Sequence, residues 1–300
     1  MVEKVGPGVT RFKPGDHVVT NGAGPFRDDY RFGAYQRLAL TTQELTTKVS
    51  PQCCVPESSS HCQFGQFTQY FCRQIGDNSF EDTAVLSTSY SPASALFLHL
   101  GLERPSFAGP NLQNKQHKIL IWGASSSFGA FAVQLAVDSG YTVVGVASGR
   151  NASLVTSIGA THFIDRTSPT AVIDLIALGP FKAVLAAADS AEDQVRIAAV
   201  MAGQGGGDFL STMGLRQGVA LPDNVTVSFH QYLDDYLDPA NKDFTEWFWW
   251  EYLENALERK KLKGLPIVVK GGLSQVKVAW DALREERLSG QRQVIRPDLD

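Results

Sequence analysis

The sequence lacks several features that would assign it to large classes of protein. It has no run of about 18 apolar residues, the length that a membrane-spanning helix needs. Lys and Arg number 27 against 31 Asp and Glu, so no basic excess is available to attract nucleic acid or an acidic membrane surface. The opening stretch, MVEKVGPGVTRFKPGDHVV, has no apolar segment typical of a secretory signal. We therefore expect a cytoplasmic protein without nucleic-acid or membrane partners.

Cysteine is scarce, and all of it falls between Cys53 and Cys72, with Cys54 and Cys62 between them. Because His61 is nearby, one interpretation is a zinc site. Zinc-binding cysteines are usually spaced as CxxC, however, and no such pair occurs here. Disulfides are rare in cytoplasmic proteins. We therefore predict no bound metal.

The first part of the chain has the character of a β-rich module. Turn residues cluster at Gly6-Pro7-Gly8 and at Lys13-Pro14-Gly15-Asp16. The apolar alternation that follows predicts strands at residues 17–20 and at Gly33–Leu40. A long apolar stretch, residues 84–102, then leads to a Pro/Gly/Asn-rich linker at 105–116.

From Lys118 onward, short apolar runs alternate with helical patterns, which predicts a doubly wound parallel sheet covered by helices. The expected strands are 118–122, 142–147, 162–165, 181–187, 207–212 and 225–229, and the expected helices between them include 128–139, 151–158 and 190–201. The remaining residues predict one long helix at 243–262, a strand at 267–269, a helix at 275–288 and a strand at 293–296.

Residues 119–151 have the pattern of a unit that binds a dinucleotide. A buried strand ends at Trp122, a loop of small residues follows, and a helix with a small-residue face begins near Gly129. Such a loop lets the backbone approach a pyrophosphate, which the helix N-terminus then binds. Only Gly129 remains of the three glycines in G-x-G-x-x-G. A tight turn without a ligand is therefore the alternative.

The end of the next strand, Ala147-Ser148-Gly149-Arg150-Asn151, indicates which dinucleotide binds. NAD-binding units place Asp or Glu there to bind the ribose 2′-hydroxyl. Here a hydroxyl and a guanidinium replace the acid, and Arg pairs well with a phosphate. We therefore predict NADP(H), while a solvated Arg150 without a role is the alternative.

Several stretches together resemble the medium-chain dehydrogenase/reductase superfamily. They are VGPGVTRFKPGDHV, FGAYQRLAL, SFEDTAVL, ILIWGASSSFGAFAVQLA, VASGRN, SIGATHFID and LSGQRQVI. The sequence is most similar to the zinc-free fungal enoyl-reductase branch, which includes the trans-acting enoyl reductases of polyketide pathways. The resemblance implies a Rossmann domain at 105–263 and a GroES-like catalytic domain formed by 1–104 and 264–300.

The resemblance also implies roles for particular residues. The pyrophosphate would lie along Ser125, Ser126, Ser127, Phe128 and Gly129, and the 2′-phosphate along Ser148, Gly149, Arg150 and Asn151. Arg166 stands where the family usually has Tyr near that phosphate. Leu288 and Ser289 match a C-terminal strip that returns to the cofactor. Ser91 matches a serine near the nicotinamide or substrate, although Pro92 replaces the usual Thr beside it.

The implied activity is NADPH-dependent, zinc-independent reduction of an activated C=C bond in a small molecule, such as an enoyl thioester, an enone or a quinone-like compound. A carrier-bound polyketide is one such substrate, and secondary metabolism is its setting. The oligomeric state stays open between monomer and homodimer. The alternative is a non-catalytic NADP(H)-binding fragment or an inactive gene-model product. A short-chain dehydrogenase would need Tyr-x-x-x-Lys after the fourth strand, where none occurs.

Two departures from the family pattern bear on activity. Family members have further residues before VGPGVTRF, so we expect an N-terminally truncated GroES-like domain. Residues 49–74 also have no counterpart, and without them ELTTK continues directly into IGDNSFEDTAVL. Val49-Ser50 can be encoded by a splice-donor sequence and Gln74 by an acceptor. We therefore hypothesise that residues 49–74 are a translated intron.

Overall fold

The computed structural model describes residues 1–21, 29–33, 36–49, 74–75, 78–236, 238–285 and 288–299. Within these residues the chain divides into two compact units. The sheet unit comprises residues 89–235 and 288–291, and the terminal unit comprises 1–88, 236–287 and 292–300. In the described part, no helix is long and apolar enough to cross a membrane.

The sheet unit contains a parallel sheet that, in the described residues, has six strands in the order β10-β9-β8-β5-β6-β7. They are β5 (Lys118–Trp122), β6 (Thr142–Ala147), β7 (His162–Asp165), β8 (Phe181–Ala186), β9 (Gly207–Ser211) and β10 (Val225–Ser228). The order reverses at β5, as in doubly wound sheets, where ligands bind at the carboxyl edge beside the reversal. The predicted Rossmann fold is confirmed.

Helices connect these strands and cover the sheet. They are α2 (Tyr90–Ser94), which continues as a π-helix (Ala95–His99), α3 (Ser127–Asp138), α4 (Ala152–Ser157), α5 (Ala171–Leu178), α6 (Ala191–Gly203) and α7 (Tyr232–Asp235). The central strands β5, β6 and β8 are mostly apolar because both faces of a parallel sheet are buried. One face forms a core from Leu120, Trp122, Val144, Val184 and Phe209, to which α6 adds Ile197 and Val200.

The terminal unit has smaller sheets. Its strands pair as β1 (Val18–Thr20) with β2 (Thr46–Lys48) and β3 (Gln74–Ile75) with β4 (Asn78–Ser79), both antiparallel, and β11 (Ile267–Val269) with β12 (Arg292–Val294), parallel. Its helices are α1 (Phe80–Leu86), α8 (Lys242–Glu246), a π-helix (Trp247–Tyr252), α9 (Leu253–Glu258) and α10 (Val276–Arg284). The predicted long helix at 243–262 therefore exists but ends at Glu258.

The predicted strand at Gly33–Leu40 is wrong in its described residues, 33 and 36–40. The side-chain amide of Gln36 donates to the carbonyl oxygens of Tyr30, Arg31 and Gly33, which closes a compact turn. Leu38 is 71% exposed, so the apolar residues do not face a sheet. Apolar residues alternate along this segment, but no strand in the described residues pairs with it.

The unit boundaries differ from the expected domain limits of 1–104, 105–263 and 264–300. Residues 89–104 group with the sheet because α2 packs against α3. Residues 236–263 group with the terminal unit because the helical run 242–258 packs on β2. Of the proposed insert, residues 50–73 lie outside the described part. At its ends, the N–H of Val49 donates to the carbonyl of His17, and Gln74 belongs to β3.

Candidate functional site

The loop after β5 packs tightly at two glycines. Gly123 has a φ of +77°, and a Cβ there would lie 2.6 Å from the nitrogen of Ala188. A Cβ on Gly129 would lie 2.2 Å from the carbonyl oxygen of Gly123. Because the obstructing atoms are backbone, any side chain at Gly129 would force β5 and α3 apart. Glycine at these positions therefore sets the close approach of α3 to the strand.

The N-terminus of α3 faces the carboxyl edge of the sheet. Ser126 caps the helix, since its hydroxyl accepts the N–H of Gly129 at 3.0 Å. Ser127 and Phe128 form the first turn of the helix. Backbone N–H groups in a first turn have no carbonyl partner within the helix, and the helix dipole is positive at this end. Ser125 lies before the cap, and these side chains are half-buried. This end of the site fits a pyrophosphate.

Asn151 connects this loop to a distant part of the chain. Its side-chain amide donates to the hydroxyl of Ser125 at 2.9 Å and to that of Ser289 at 3.0 Å. Asn151 is buried, and Leu288 and Ser289 belong to the sheet unit. The structure therefore brings together three segments that sequence spacing alone could not join. The cofactor roles of these residues stay predictions.

The end of β6 carries the predicted 2′-phosphate residues. Ser148 precedes a short 3₁₀ turn, Gly149–Asn151. The side chain of Arg150 is exposed, and it makes no hydrogen bond or ion pair with any residue in the described part of the chain. An unpaired guanidinium at the carboxyl edge of the sheet is available to an anionic ligand.

A carboxylate that the sequence analysis missed lies beside this turn. Asp165 ends β7 and is in register with Ala147 at the end of β6. It accepts the N–H of Thr167 at 2.9 Å, the Thr167 hydroxyl at 2.8 Å and the N–H of Gly149. These hydrogen bonds, led by that from the Thr167 backbone, lower the pKa of Asp165, and the charge of Arg166 adds to them. The sequence signal was HFID, whose last residue ends the neighbouring strand.

Arg166 and Ser91 are two further residues of the predicted site. The backbone N–H of Arg166 donates to the carbonyl of Ala147, and its guanidinium lies 3.7 Å from the carboxylate of Asp193. Arg166 is therefore already partly neutralised, unlike Arg150. Ser91 lies in α2, half-buried beside the buried Pro92. In the described part of the chain, the ends of β6 and β7 thus carry one unpaired cation, one paired cation and one carboxylate.

The zinc alternative depended on residues that the structure does not describe. All four cysteines and His61 lie between residues 50 and 73. Among the described residues, no group of three or more His, Cys, Asp or Glu side chains is arranged to hold a metal ion.

The sequence is similar to curated fungal proteins, although no protein-family model matches it. A trans-enoyl reductase of Aspergillus japonicus, himH, is 38% identical over 219 residues, which cover 71% of this chain and 61% of that protein. A trans-enoyl reductase of Gibberella fujikuroi is 26% identical over an alignment that covers all of this chain and 81% of that protein. The dehydrogenase azaJ of Aspergillus niger is 33% identical over 58% of this chain and 43% of its own length. The chain thus spans less than two thirds of the himH and azaJ proteins.

Solved structures share the fold. The enoyl reductase CurK superposes with a TM-score of 0.60 at 16% identity, covering 97% of this chain and 76% of that one. A quinone oxidoreductase of Pseudomonas syringae pv. Tomato DC3000 superposes with a TM-score of 0.63 at 18% identity, covering 98% and 79%. In sequence the chain is thus similar to fungal trans-enoyl reductases, and in fold to solved enoyl reductases and quinone oxidoreductases, as the resemblance to the medium-chain dehydrogenase/reductase superfamily predicts.

Proposed function

We propose that this protein is an NADP(H)-dependent oxidoreductase that reduces a C=C bond activated by a carbonyl group. The observation that carries the proposal is the pyrophosphate site, where the capped N-terminus of α3 lies beside the Ser125–Asn151–Ser289 network. The relatives support the reaction class, since curated fungal relatives of this chain are named as trans-enoyl reductases.

The choice of NADP(H) over NAD(H) depends on Arg150. A 2′-phosphate carries negative charge that a guanidinium binds with two hydrogen bonds. Arg150 is exposed and unpaired within the described residues, whereas Arg166 has Asp193 nearby. The carboxylate of Asp165 opposes an anion, but its oxygens already accept hydrogen bonds from Gly149 and Thr167. Those hydrogen bonds occupy lone pairs that would otherwise accept the ribose 2′-hydroxyl of NAD(H).

When bound, a nicotinamide cofactor would supply the hydride. This chain's residues would bind and orient it: the N–H groups of α3 would bind the pyrophosphate, and the amide of Asn151 holds Ser125 in place. We further propose that the reaction is zinc-independent, because the stretch LSTSYSPAS offers hydroxyls where zinc-dependent relatives place ligands. The proposed substrates are enoyl thioesters, enones or quinone-like compounds, including carrier-bound polyketides of secondary metabolism. The proposed setting is cytoplasmic, with the protein a monomer or homodimer.

The experiment is a fluorescence titration of the protein with NADPH and with NADH. We expect tighter binding of NADPH. We also expect Arg150→Gln to weaken NADPH binding about tenfold, because a hydrogen-bonded ion pair is lost, while NADH binding stays unchanged. Arg259→Gln is the matched control, since Arg259 is an exposed arginine at the end of α9 in the terminal unit. Equal losses of NADPH and NADH in Arg150→Gln would contradict the assigned role.

Turnover separates the enzyme from the alternative of a non-catalytic NADP(H)-binding protein. NADPH consumption is measured with a crotonyl thioester, a simple enone and a benzoquinone. Consumption with any of them supports the proposed reaction class. NADPH binding without consumption of any substrate supports the binding-only alternative.

A further inference from the structure

Tyr232 lies at the edge of the predicted cofactor site without belonging to any of its predicted residues. It begins α7, shortly after β10 ends at the carboxyl edge of the sheet. Its ring centroid is 5.2 Å from that of Phe128 in the first turn of α3, and 5.9 Å from that of His99, which it meets edge-on. The tyrosine therefore borders the helix N-terminus proposed to bind the pyrophosphate.

The hydroxyl of Tyr232 is buried and has no hydrogen-bond partner among the described residues. The residue as a whole is only 8% exposed. A buried donor without an acceptor is destabilising, and native structures contain few of them. Burial, with a smaller contribution from the charge of Asp235, raises the pKa of Tyr232. The hydroxyl therefore keeps its proton at physiological pH and remains a donor.

Neighbouring polar side chains fix α7 in place and so orient Tyr232. The carboxylate of Asp235 accepts hydrogen bonds from the hydroxyl of Ser94 and, at 2.9 Å, from Nε2 of His99. The His99 ring stacks on that of His230, with 3.6 Å between centroids. Both histidines and Asp235 belong to the sheet unit. The unpaired hydroxyl is thus held by a well-bonded cluster, which is how proteins preorganise a binding group.

We propose that the Tyr232 hydroxyl is a ligand-binding group that donates a hydrogen bond to an oxygen of the molecule bound beside Phe128. The inference rests on the proposed function, because it takes that molecule to be NADP(H) or the carbonyl substrate next to it. Both offer oxygen acceptors: the phosphates and the carboxamide of the cofactor, and the carbonyl of the substrate. This hydrogen bond would satisfy the buried hydroxyl, which has no acceptor among the described residues.

The test is Tyr232→Phe, which removes the hydroxyl and keeps the ring between Phe128 and His99. In the ligand-free protein we expect the Tm to stay constant or rise by roughly 2 °C, since an unsatisfied buried group is removed. Tyr141→Phe is the matched control. Tyr141 is also buried, but its hydroxyl accepts the N–H of Glu103 at 3.0 Å, so its loss should lower the Tm.

Ligand binding then identifies the acceptor. If the acceptor is on the cofactor, Tyr232→Phe should weaken NADPH binding about fivefold in the fluorescence titration, and Tyr141→Phe should not. If the acceptor is the substrate carbonyl, NADPH binding should be unchanged and KM should rise, or kcat fall, about fivefold.

Two results would overturn this inference and leave the proposed function intact. One is a fall of the ligand-free Tm in Tyr232→Phe like that in Tyr141→Phe, which would show that the hydroxyl is bonded within the chain. The other is a wild type that binds NADPH and turns over substrate, together with a Tyr232→Phe variant whose NADPH binding and turnover equal those of the wild type. If the wild type binds neither NADPH nor NADH, the proposed function itself fails, and this inference falls with it.

Discussion

The two compact units differ in how their side chains are buried. In the sheet unit, Ile119–Trp122 of the central strand are all completely buried, and α3 buries most of its length. In the terminal unit, α10 has no buried residue, and Trp280 is 66% exposed. The large buried side chains of that unit come from the aromatic helical run 242–258, including Phe244, Phe248 and Trp249. One unit is therefore built around a sheet core and the other around a helix that packs on a small sheet.

The two units also differ in how strongly water screens their ion pairs. An ion pair at the edge of a closely packed core is desolvated, whereas one among half-exposed elements is screened by water. The side chain of Asp189, at the carboxyl edge of the sheet, is completely buried and pairs at 2.9 Å with Arg216, whose side chain is 32% exposed. Arg296 of the terminal unit pairs with Glu81 at 3.3 Å and with Asp298, and all three side chains remain partly exposed. The same type of substitution should therefore have unequal effects in the two units.

The largest expected effect is that of Arg216→Met. Among the described residues, it leaves the buried Asp189 carboxylate with the Ser211 hydroxyl at 2.6 Å and the Gln194 amide at 3.2 Å. Loss of one partner of a buried pair should lower the free energy of unfolding by about 3–4 kcal/mol. Arg296→Met should lower it by less than about 1 kcal/mol. Urea unfolding measures both, and equal losses would show that the two units do not differ in this respect.

Next in size is Gly129→Ala, which tests the close approach of α3 to β5. The new Cβ would overlap the carbonyl oxygen of Gly123, and backbone would have to move. Better helix propensity offsets part of the strain, so we expect a net loss of about 2 kcal/mol, together with weaker NADPH binding. Gly6→Ala in the terminal unit is the control, because nothing lies within 4 Å of a Cβ there. A Gly129→Ala protein as stable as Gly6→Ala would contradict the packing argument.

Helix caps should show a smaller contrast. Ser190 and Asp193 form a capping box at the start of α6, a helix of 13 residues packed on the sheet. Asp238 caps only a three-residue 3₁₀ turn at Pro239–Asn241 in the terminal unit. We expect Ser190→Ala to lower the free energy of unfolding by about 1 kcal/mol and Asp238→Ala by a few tenths, both measured by urea unfolding. A larger loss in Asp238→Ala would reverse the contrast.

The contrast between the units also explains how far the sequence predicts the structure. Strands 118–122, 142–147 and 162–165 were predicted at their observed limits. For the first two, the reason is that a strand buried on both faces is a continuous apolar run bounded by turns. In the terminal unit, the alternation at Gly33–Leu40 had no partner strand in the described residues and gave a turn. Alternation specifies a strand only when a neighbour pairs with it.

The residues of the candidate site also differ in how far the sequence predicts them. Residues adjacent in sequence, such as Ser125–Gly129, were predicted as a pyrophosphate site from the strand–loop–helix pattern together with the family resemblance, and that role stays a prediction. Asp165 and the hydroxyl of Tyr232 come from other strands and helices, and only the sheet order brings them to the same edge. Sequence spacing carries no information on that order. The bond from Asn151 to Ser289 likewise joins segments that only the fold places together.

The smallest expected effect is on pH dependence, and it has opposite signs in the two units. Burial and the charge of His99 lower the pKa of His230, outweighing Asp235 and Asp208. The stability that His230 contributes is therefore present above about pH 6.5 and is lost as the pH falls. His230→Gln should thus lose less stability than the wild type between about pH 7.5 and pH 5, as measured by the urea midpoint.

Glu254 of the terminal unit should behave in the reverse sense. Burial raises its pKa, helped by Glu258 and opposed by Arg11 and Lys48. The folded state therefore favours the protonated form, so this contribution is present below about pH 4.5 and lost as the pH rises. Other carboxylates titrate in the same range, so the informative quantity is the difference between variant and wild type at each pH. That difference should grow with pH for Glu254→Gln and shrink with pH for His230→Gln. If both differences change in the same direction, burial does not act on these two groups as the structure indicates.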